Sequence, residues 1–218
     1  TERIKINGKN CDKDFVYEKL MDYLYKNNLV SQEEFDRRKL FQQEYHDGTL
    51  DVVEACKFDV GLVAHVESLI DKTIFEQFFI QEVKPIIMQK AIAKVKEHQD
   101  SGDYVVIITA TVEEIARPIA EFFAVDFLIG GKGARDNNGK LIGELINGPC
   151  MREGKLIHLQ EWLSKSGRLF NKTIFYSDSH NDIPLLDYVD EAVIVDADNK
   201  LIEYAKHKGW QHISFLLN

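Results

Sequence analysis

Positive charge is in deficit in this chain. Its 218 residues carry 27 Lys and Arg against 36 Asp and Glu, a net charge of −9. A surface of that sign argues against nonspecific binding to nucleic acid or to anionic membranes. It sets no bar against a small anionic ligand, since a site can be locally positive. Cysteine is scarce too: Cys11, Cys56 and Cys150 are odd in number and far apart, with no Cys-x-x-Cys. That speaks against a disulfide framework or a zinc site and fits a reducing cytosol, so a cytoplasmic protein is expected. No apolar stretch approaches the roughly 20 residues of a bilayer span, and no signal peptide is recognised. The chain opens on Thr1, read as removal of an initiator methionine or as missing upstream sequence. Several catalytic signatures are also missing. There is no Gly-x-Ser-x-Gly elbow and no His-Glu-x-x-His pair, and Gly130-Gly131-Lys132-Gly133 lacks the spacing of a P-loop.

What remains is an ordinary globular composition, 44% hydrophobic and 29% charged, long enough for one domain or a core with an insertion. Two textures divide it. From about Phe15 to Val83 the apolar residues recur at helical spacing: Phe15, Leu20, Tyr23 and Leu24 on one face, then Phe35, Leu40, Phe41 and Tyr45. His46-Asp47-Gly48-Thr49 interrupts that pattern, and no strand signal appears there. From Pro85 onward helix and strand alternate. Ile86 to His98 is amphipathic, Tyr104 to Ile108 is a continuous apolar strand, and Val112 to Phe123 reads as a helix despite Pro118. Phe127-Leu128-Ile129 is a short strand, and Asp136-Asn137-Asn138-Gly139-Lys140 is a hairpin turn. A helix over Leu156 to Leu163, strands at Thr173 to Tyr176 and Ala192 to Val195, and helices at Leu185 to Val189 and Leu201 to Lys206 complete the pattern. Such alternation implies a parallel sheet covered on both faces.

Candidate chemistry clusters where strands end. The strand before Ser177-Asp178-Ser179-His180-Asn181-Asp182-Ile183-Pro184 leads into a helix opened by Pro184, so Asp178 and Asp182 fall in a strand-to-helix loop. Alone, Asp182 reads as a helix N-cap and Asp178 as a solvated acid. Together they form a hard-oxygen pair of the kind Mg²⁺ accepts. Thr109-Ala110-Thr111 ends another strand, and Thr111-x-x-Glu114 matches a capping box, so a helix is expected to begin there. A hydroxyl beside free N–H groups suits a phosphate or other anion. Thr111 reads as a cap alone, while Thr109 reads equally as cap or anion ligand. Lys155 opens a further helix, where a cation would neutralise a bound phosphate oxygen. His180 reads as a loop residue.

In that order, a strand ending in Thr109, the segment Pro149-Cys150-Met151-Arg152-Glu153-Gly154-Lys155 and the run Tyr176 to Leu186 resemble the haloacid dehalogenase (HAD) superfamily. The closest likeness is to its phosphoserine-phosphatase-like HAD-IB branch. Asn28-Leu29-Val30 and Tyr45 to Asp51 are similar to that branch's helical cap, and the resemblance spans roughly residues 12 to 215. It implies an α/β fold: a Rossmann-like parallel sheet core, residues 1–12 and 85–218, with an inserted all-helical cap at 13–84. It implies a phosphomonoester hydrolase that acts on a small organic phosphate with Mg²⁺, through an aspartyl-phosphate. Thr109, Ala110 and Lys155 would bind the phosphoryl group, Asp178 would ligate the metal, and Asp182 would support the metal site or its waters. Phosphoserine, histidinol phosphate and a lipid headgroup phosphate all remain open as substrates.

One motif of that family is missing. Asp-x-Asp-x-Thr, at the end of a first strand just before the cap, has no counterpart, and residues 1–12 show no recognisable strand. Asp12-Lys13-Asp14 has the spacing without an apolar strand before it, and is not accepted as the nucleophile pair. The expectation is a fragment or an altered N-terminus. The alternative is a catalytically silent HAD domain that binds a phosphorylated ligand or partner.

Overall fold

A computed structural model describes residues 3–4, 13–69 and 73–216. The first part is helical: α1 (Lys13–Lys26), α2 (Gln32–Asp47), α3 (Val52–Leu69) and α4 (Thr73–Phe78). Local chemistry fixes the bounds of α2. The Ser31 side chain accepts from the Glu34 N–H, the Glu34 carboxylate takes the Ser31 N–H at 2.7 Å, and Gly48 closes the helix in the left-handed conformation. After α4 the backbone widens into a π turn (Phe79–Val83) and tightens into a 3₁₀ turn (Lys84–Ile86) around Pro85. Val16, Tyr17, Leu20 and Leu24 of α1 pack with Val60, Val63 and Val66 of α3 and with Phe75 and Phe78 of α4.

The rest alternates: α5 (Gln89–Asp100), β2 (Tyr104–Val112), α6 (Glu113–Phe122), β3 (Phe127–Arg135), β4 (Leu141–Ile146) and α7 (Glu153–Ser166). Then come β5 (Ile174–Ser177), α8 (Ile183–Leu186), β6 (Glu191–Val195), α9 (Asn199–Lys208) and β7 (Gln211–Ile213). One ladder runs β1-β2-β3-β4 and another β5-β6-β7, where β1 is Arg3–Ile4. All pairings are parallel except β3 with β4, which closes through a turn at Gly139, where φ is +81°. β1 also lies against β5, which brings the ladders side by side. Both faces are covered. Val105 packs with Ala91 and Val95 of α5, and its neighbour Val106 packs with Leu159 of α7 and Leu201 of α9. The α/β architecture expected from the alternation is the one observed.

Three expectations change. The capping box at Thr111 does not form. Instead β2 runs on through Val112, and α6 starts at Glu113 with no side-chain cap. Successive Thr and Val residues favour extension, the Thr111 N–H goes to the Thr109 hydroxyl at 3.1 Å, and the Glu114 carboxylate is taken by Arg135 at 3.1 Å. The short strand read over Phe127 to Ile129 runs on to Arg135 and takes in Gly130 to Gly133. A first strand does exist, although it is two residues long: Arg3 aligns with Tyr104 and Ile4 with Val105. With a charged residue on either side of Ile4, no apolar run marked it. Asp12 lies outside the described residues, and Asp14 falls within α1.

Candidate active site

The ends of β2 and β5 face the same helical segment. Tyr17 of α1 meets Val112 at the end of β2, and Tyr45 of α2 accepts a hydrogen bond from the Asn181 amide, just past β5, at 2.9 Å. Thr109, Ala110 and Thr111 lie toward the end of β2, and Asp178 directly follows β5. The head of α7 joins them through its third residue.

That residue is Lys155. Its ammonium donates to Asp182 Oδ1 at 2.5 Å, and the Ser177 hydroxyl donates to Asp182 Oδ2 at 2.7 Å. Lys155 is 5% exposed, Asp182 1% and Ser177 not at all. A buried charge without partners would be strongly disfavoured, so the three groups are mutually dependent. Asp182 stands at the N-cap position of α8 but makes no capping bond with its side chain, because both oxygens face Lys155 and Ser177.

The loop from β5 is held in several places. Ser179 caps the 3₁₀ turn His180–Asp182, its hydroxyl taking the Asn181 N–H. Asp198 caps α9 and also accepts from the His180 N–H at 2.7 Å and meets its ring Nδ1 at 3.0 Å. Burial would raise the Asp198 pKa, but the hydrogen bonds from His180 and Leu201 outweigh it and hold the carboxyl below its ordinary range. The Asp198 N–H in turn donates to the Asp178 carbonyl at 2.9 Å. Asp178 itself is 9% exposed. At Thr109 the hydroxyl oxygen accepts the Thr111 N–H at 3.1 Å.

The structure therefore joins Lys155 and Asp182 directly and sets Thr109, Ala110 and Asp178 at strand ends that face one helical segment. Two participants stood inside the segments that carry the family resemblance without being singled out: Tyr45, which reaches Asn181 from α2, and Arg152, whose Nε donates to Asn181 Oδ1 at 3.3 Å. A second Asp-x-Asp spacing, Asp196-Ala197-Asp198, stands directly after β6. It is otherwise engaged: Asp196 accepts from the Ser214 hydroxyl at 2.5 Å and the Phe215 N–H at 2.9 Å, and Asp198 caps α9. Among the described residues, no group of three or more His, Cys, Asp or Glu gathers to hold a metal. No helix among them is long and apolar enough to cross a membrane.

A buried lysine–carboxylate pair thus stands beside the strand ends of a parallel sheet, and comparison with known proteins identifies the class. The chain belongs to the haloacid dehalogenase-like hydrolase family, whose profile matches residues 13–187. It is similar to a histidinol-phosphatase of Neisseria meningitidis, 32% identical over 210 residues, which cover 94% of this chain and 93% of that one. A phosphoserine phosphatase of Mycobacterium tuberculosis is 32% identical over 117 residues, 52% of this chain and 37% of that protein. Among solved structures, a Bordetella pertussis protein superposes with a TM-score of 0.87 at 28% identity, covering 99% of this chain and 98% of that one. A substrate-bound phosphoserine phosphatase shares the fold, with a TM-score of 0.61 at 16% identity over 97% of this chain and 91% of that one. The protein is a phosphatase of the HAD type.

Proposed function

We propose that the protein is a cytoplasmic, Mg²⁺-dependent phosphomonoester hydrolase acting on a small organic phosphate through an aspartyl-phosphate intermediate. The observation that carries this reading is the buried Lys155–Asp182–Ser177 cluster. A cation fixed in a low-dielectric site by a carboxylate at 2.5 Å needs little rearrangement to meet a phosphoryl oxygen. Thr109 complements it. Its oxygen accepts the Thr111 N–H, which leaves the O–H proton to donate to the same anion, with the Ala110 backbone beside it. Helices α1–α4, within residues 13–84, act as the cap over these groups.

The donor chemistry fits Mg²⁺, an ion that takes one or two carboxylates and otherwise keeps water or phosphate oxygen. Asp178, directly after β5, is the carboxylate this reading assigns to it. Asp182, with both oxygens engaged, supports the site at one remove by fixing Lys155. When bound, the ion would neutralise charge on the transferring group. Histidinol phosphate is the first substrate to assay, given the similarity to a histidinol-phosphatase along nearly the whole chain.

A second reading keeps the phosphate site without turnover: a silent HAD domain. It is favoured by the sequence, in which no Asp-x-Asp is followed by x-Thr. The assay that decides measures turnover of histidinol phosphate and p-nitrophenyl phosphate with Mg²⁺, beside calorimetric binding of inorganic phosphate. Turnover abolished by Asp178→Asn supports the hydrolase. Phosphate binding lost in Lys155→Met, without turnover by the unaltered 218-residue chain, supports the silent domain. Binding unchanged by Lys155→Met or Thr109→Ala removes the site. Robust turnover would point to Asp12 and Asp14 as the nucleophile pair.

A further inference from the structure

Arg152 occupies a backbone conformation built for glycine. Its φ of 53° and ψ of −126° match the first central position of a type II′ turn, and the Gly154 N–H closes that turn on the Met151 carbonyl at 2.9 Å. The glycine of the segment stands at 154 instead, where a Cβ would overlap the Pro149 carbonyl oxygen. Placing an L side chain at position 152 costs free energy that a glycine would not. The side chain is not buried for packing, since Arg152 is exposed. Nor does it cap α7.

Its polar contact is to the catalytic loop. Arg152 Nε donates to Asn181 Oδ1 at 3.3 Å, and the Asn181 amide donates to the Tyr45 hydroxyl at 2.9 Å. Asn181 immediately precedes Asp182, the partner of Lys155, and Arg152 stands three residues before Lys155. The guanidinium is thus tethered through Nε, with both terminal amino groups left to form a fork toward an oxyanion. A core loop residue and a residue of α2 set its position together.

We propose that Arg152 is a substrate-contacting residue: held by Asn181, and through it by Tyr45, its guanidinium grips the phosphate at the mouth of the site, opposite the buried Lys155. This rests on the reading that Lys155 and Thr109 bind phosphate. Tyr45 is then a positioning residue that ties the place of α2 to the grip of Arg152.

The experiment titrates inorganic phosphate, in the presence of Mg²⁺, into the unaltered protein and its variants, with the thermal midpoint of each measured alongside. Arg152→Gly relieves the backbone strain while it removes the guanidinium. It should weaken phosphate at least tenfold while the midpoint stays level or rises, a split that a merely structural residue would not give. Arg152→Lys should keep part of the affinity, and Tyr45→Phe should lose a few-fold. The double variant Tyr45→Phe/Arg152→Gly should bind no worse than Arg152→Gly alone, because Tyr45 acts through Arg152. Lys96→Ala, on the exposed pair with Asp100, controls for net charge.

Phosphate affinity of Arg152→Gly within twofold of the unaltered protein overturns the proposal, while Lys155→Met still tests the site on its own. An affinity loss that follows a falling midpoint, or that Lys96→Ala reproduces, overturns it as well. No phosphate binding by the unaltered protein removes the site and this role together.

Discussion

Lys155 and Asp182 pair in the core at 2.5 Å, and Arg38 of α2 and Asp59 of α3 pair among the helices at 3.3 Å. All four side chains are less than a tenth exposed. Their company differs. The first pair lies beside the end of β5, completed by the Ser177 hydroxyl, with Asp182 in the loop that follows that strand. The second is packed inward. The Arg38 guanidinium lies 4.5 Å over the Tyr17 ring, whose hydroxyl meets the Val112 N–H. Burial raises the Tyr17 pKa well above its ordinary value, and the nearby Asp59 charge adds to the rise, so this phenol stays neutral. Equal burial thus serves two ends. One pair ties the head of α7 to the loop after β5, where the proposed phosphate site lies, and the other fastens three helices to the end of β2.

The sharpest way to break that contrast is phosphate binding. Lys155→Met should weaken inorganic phosphate by about 100-fold or more, the scale of losing a buried charge-assisted contact. Arg38→Met should leave it within a few-fold, read by calorimetry on variants shown to be folded. Equal losses would place Arg38 in the site.

Stability comes next. Arg38→Met leaves Asp59 buried without its partner and should cost about 3–5 kcal/mol in urea unfolding. The double variant Arg38→Met/Asp59→Leu should recover most of that, since apolar replacement of a whole buried pair is often neutral. A double variant as unstable as the single one would show that the charges do more than fasten.

Ser177→Ala should have a smaller effect. Removing one donor from Asp182 Oδ2 costs about 1–3 kcal/mol, and phosphate binding should fall less than in Lys155→Met.

The smallest effect belongs to an exposed acid. The Thr173 hydroxyl and N–H, both at 2.7 Å, hold the Asp190 carboxyl below its ordinary range. The stability they contribute is complete above the unfolded value near pH 3.9 and is lost as pH falls through the lower folded value. Asp190→Asn should therefore flatten the acid limb of the stability curve slightly below about pH 4, without altering phosphate binding.

The sequence disclosed the two pairs unequally. Asp182 and Lys155 were legible because strand-to-helix loops in parallel sheets announce themselves by an apolar run, a polar step and a Pro or Gly. The Asp136 to Lys140 hairpin was legible for similar reasons. Arg38 and Asp59 lie on different helices, and nothing in helical periodicity says that two polar residues 21 positions apart in the chain meet inside. Tyr45 and Arg152 stood in quoted motifs, but their meeting at Asn181 escaped for the same reason: the contacts are tertiary. Thr111 misled because a capping box describes local chemistry, whereas the Glu114 carboxylate is drawn off by Arg135 at the end of β3, 21 residues away.

The division of the sheet has a mechanical consequence. Among the described residues its ladders form two groups, β1 to β4 and β5 to β7. Thr109 lies toward the end of a strand of the first, and Asp178 and Asp182 follow a strand of the second, with Lys155 reaching over from α7. An anion clasped by both sides would be a strut across the line where the two ladders meet, resisting shear there. Its stiffening would extend well beyond the atoms it touches. Amide protons deep in β2 and β5 should then exchange more slowly when phosphate is bound, although none of them contacts it.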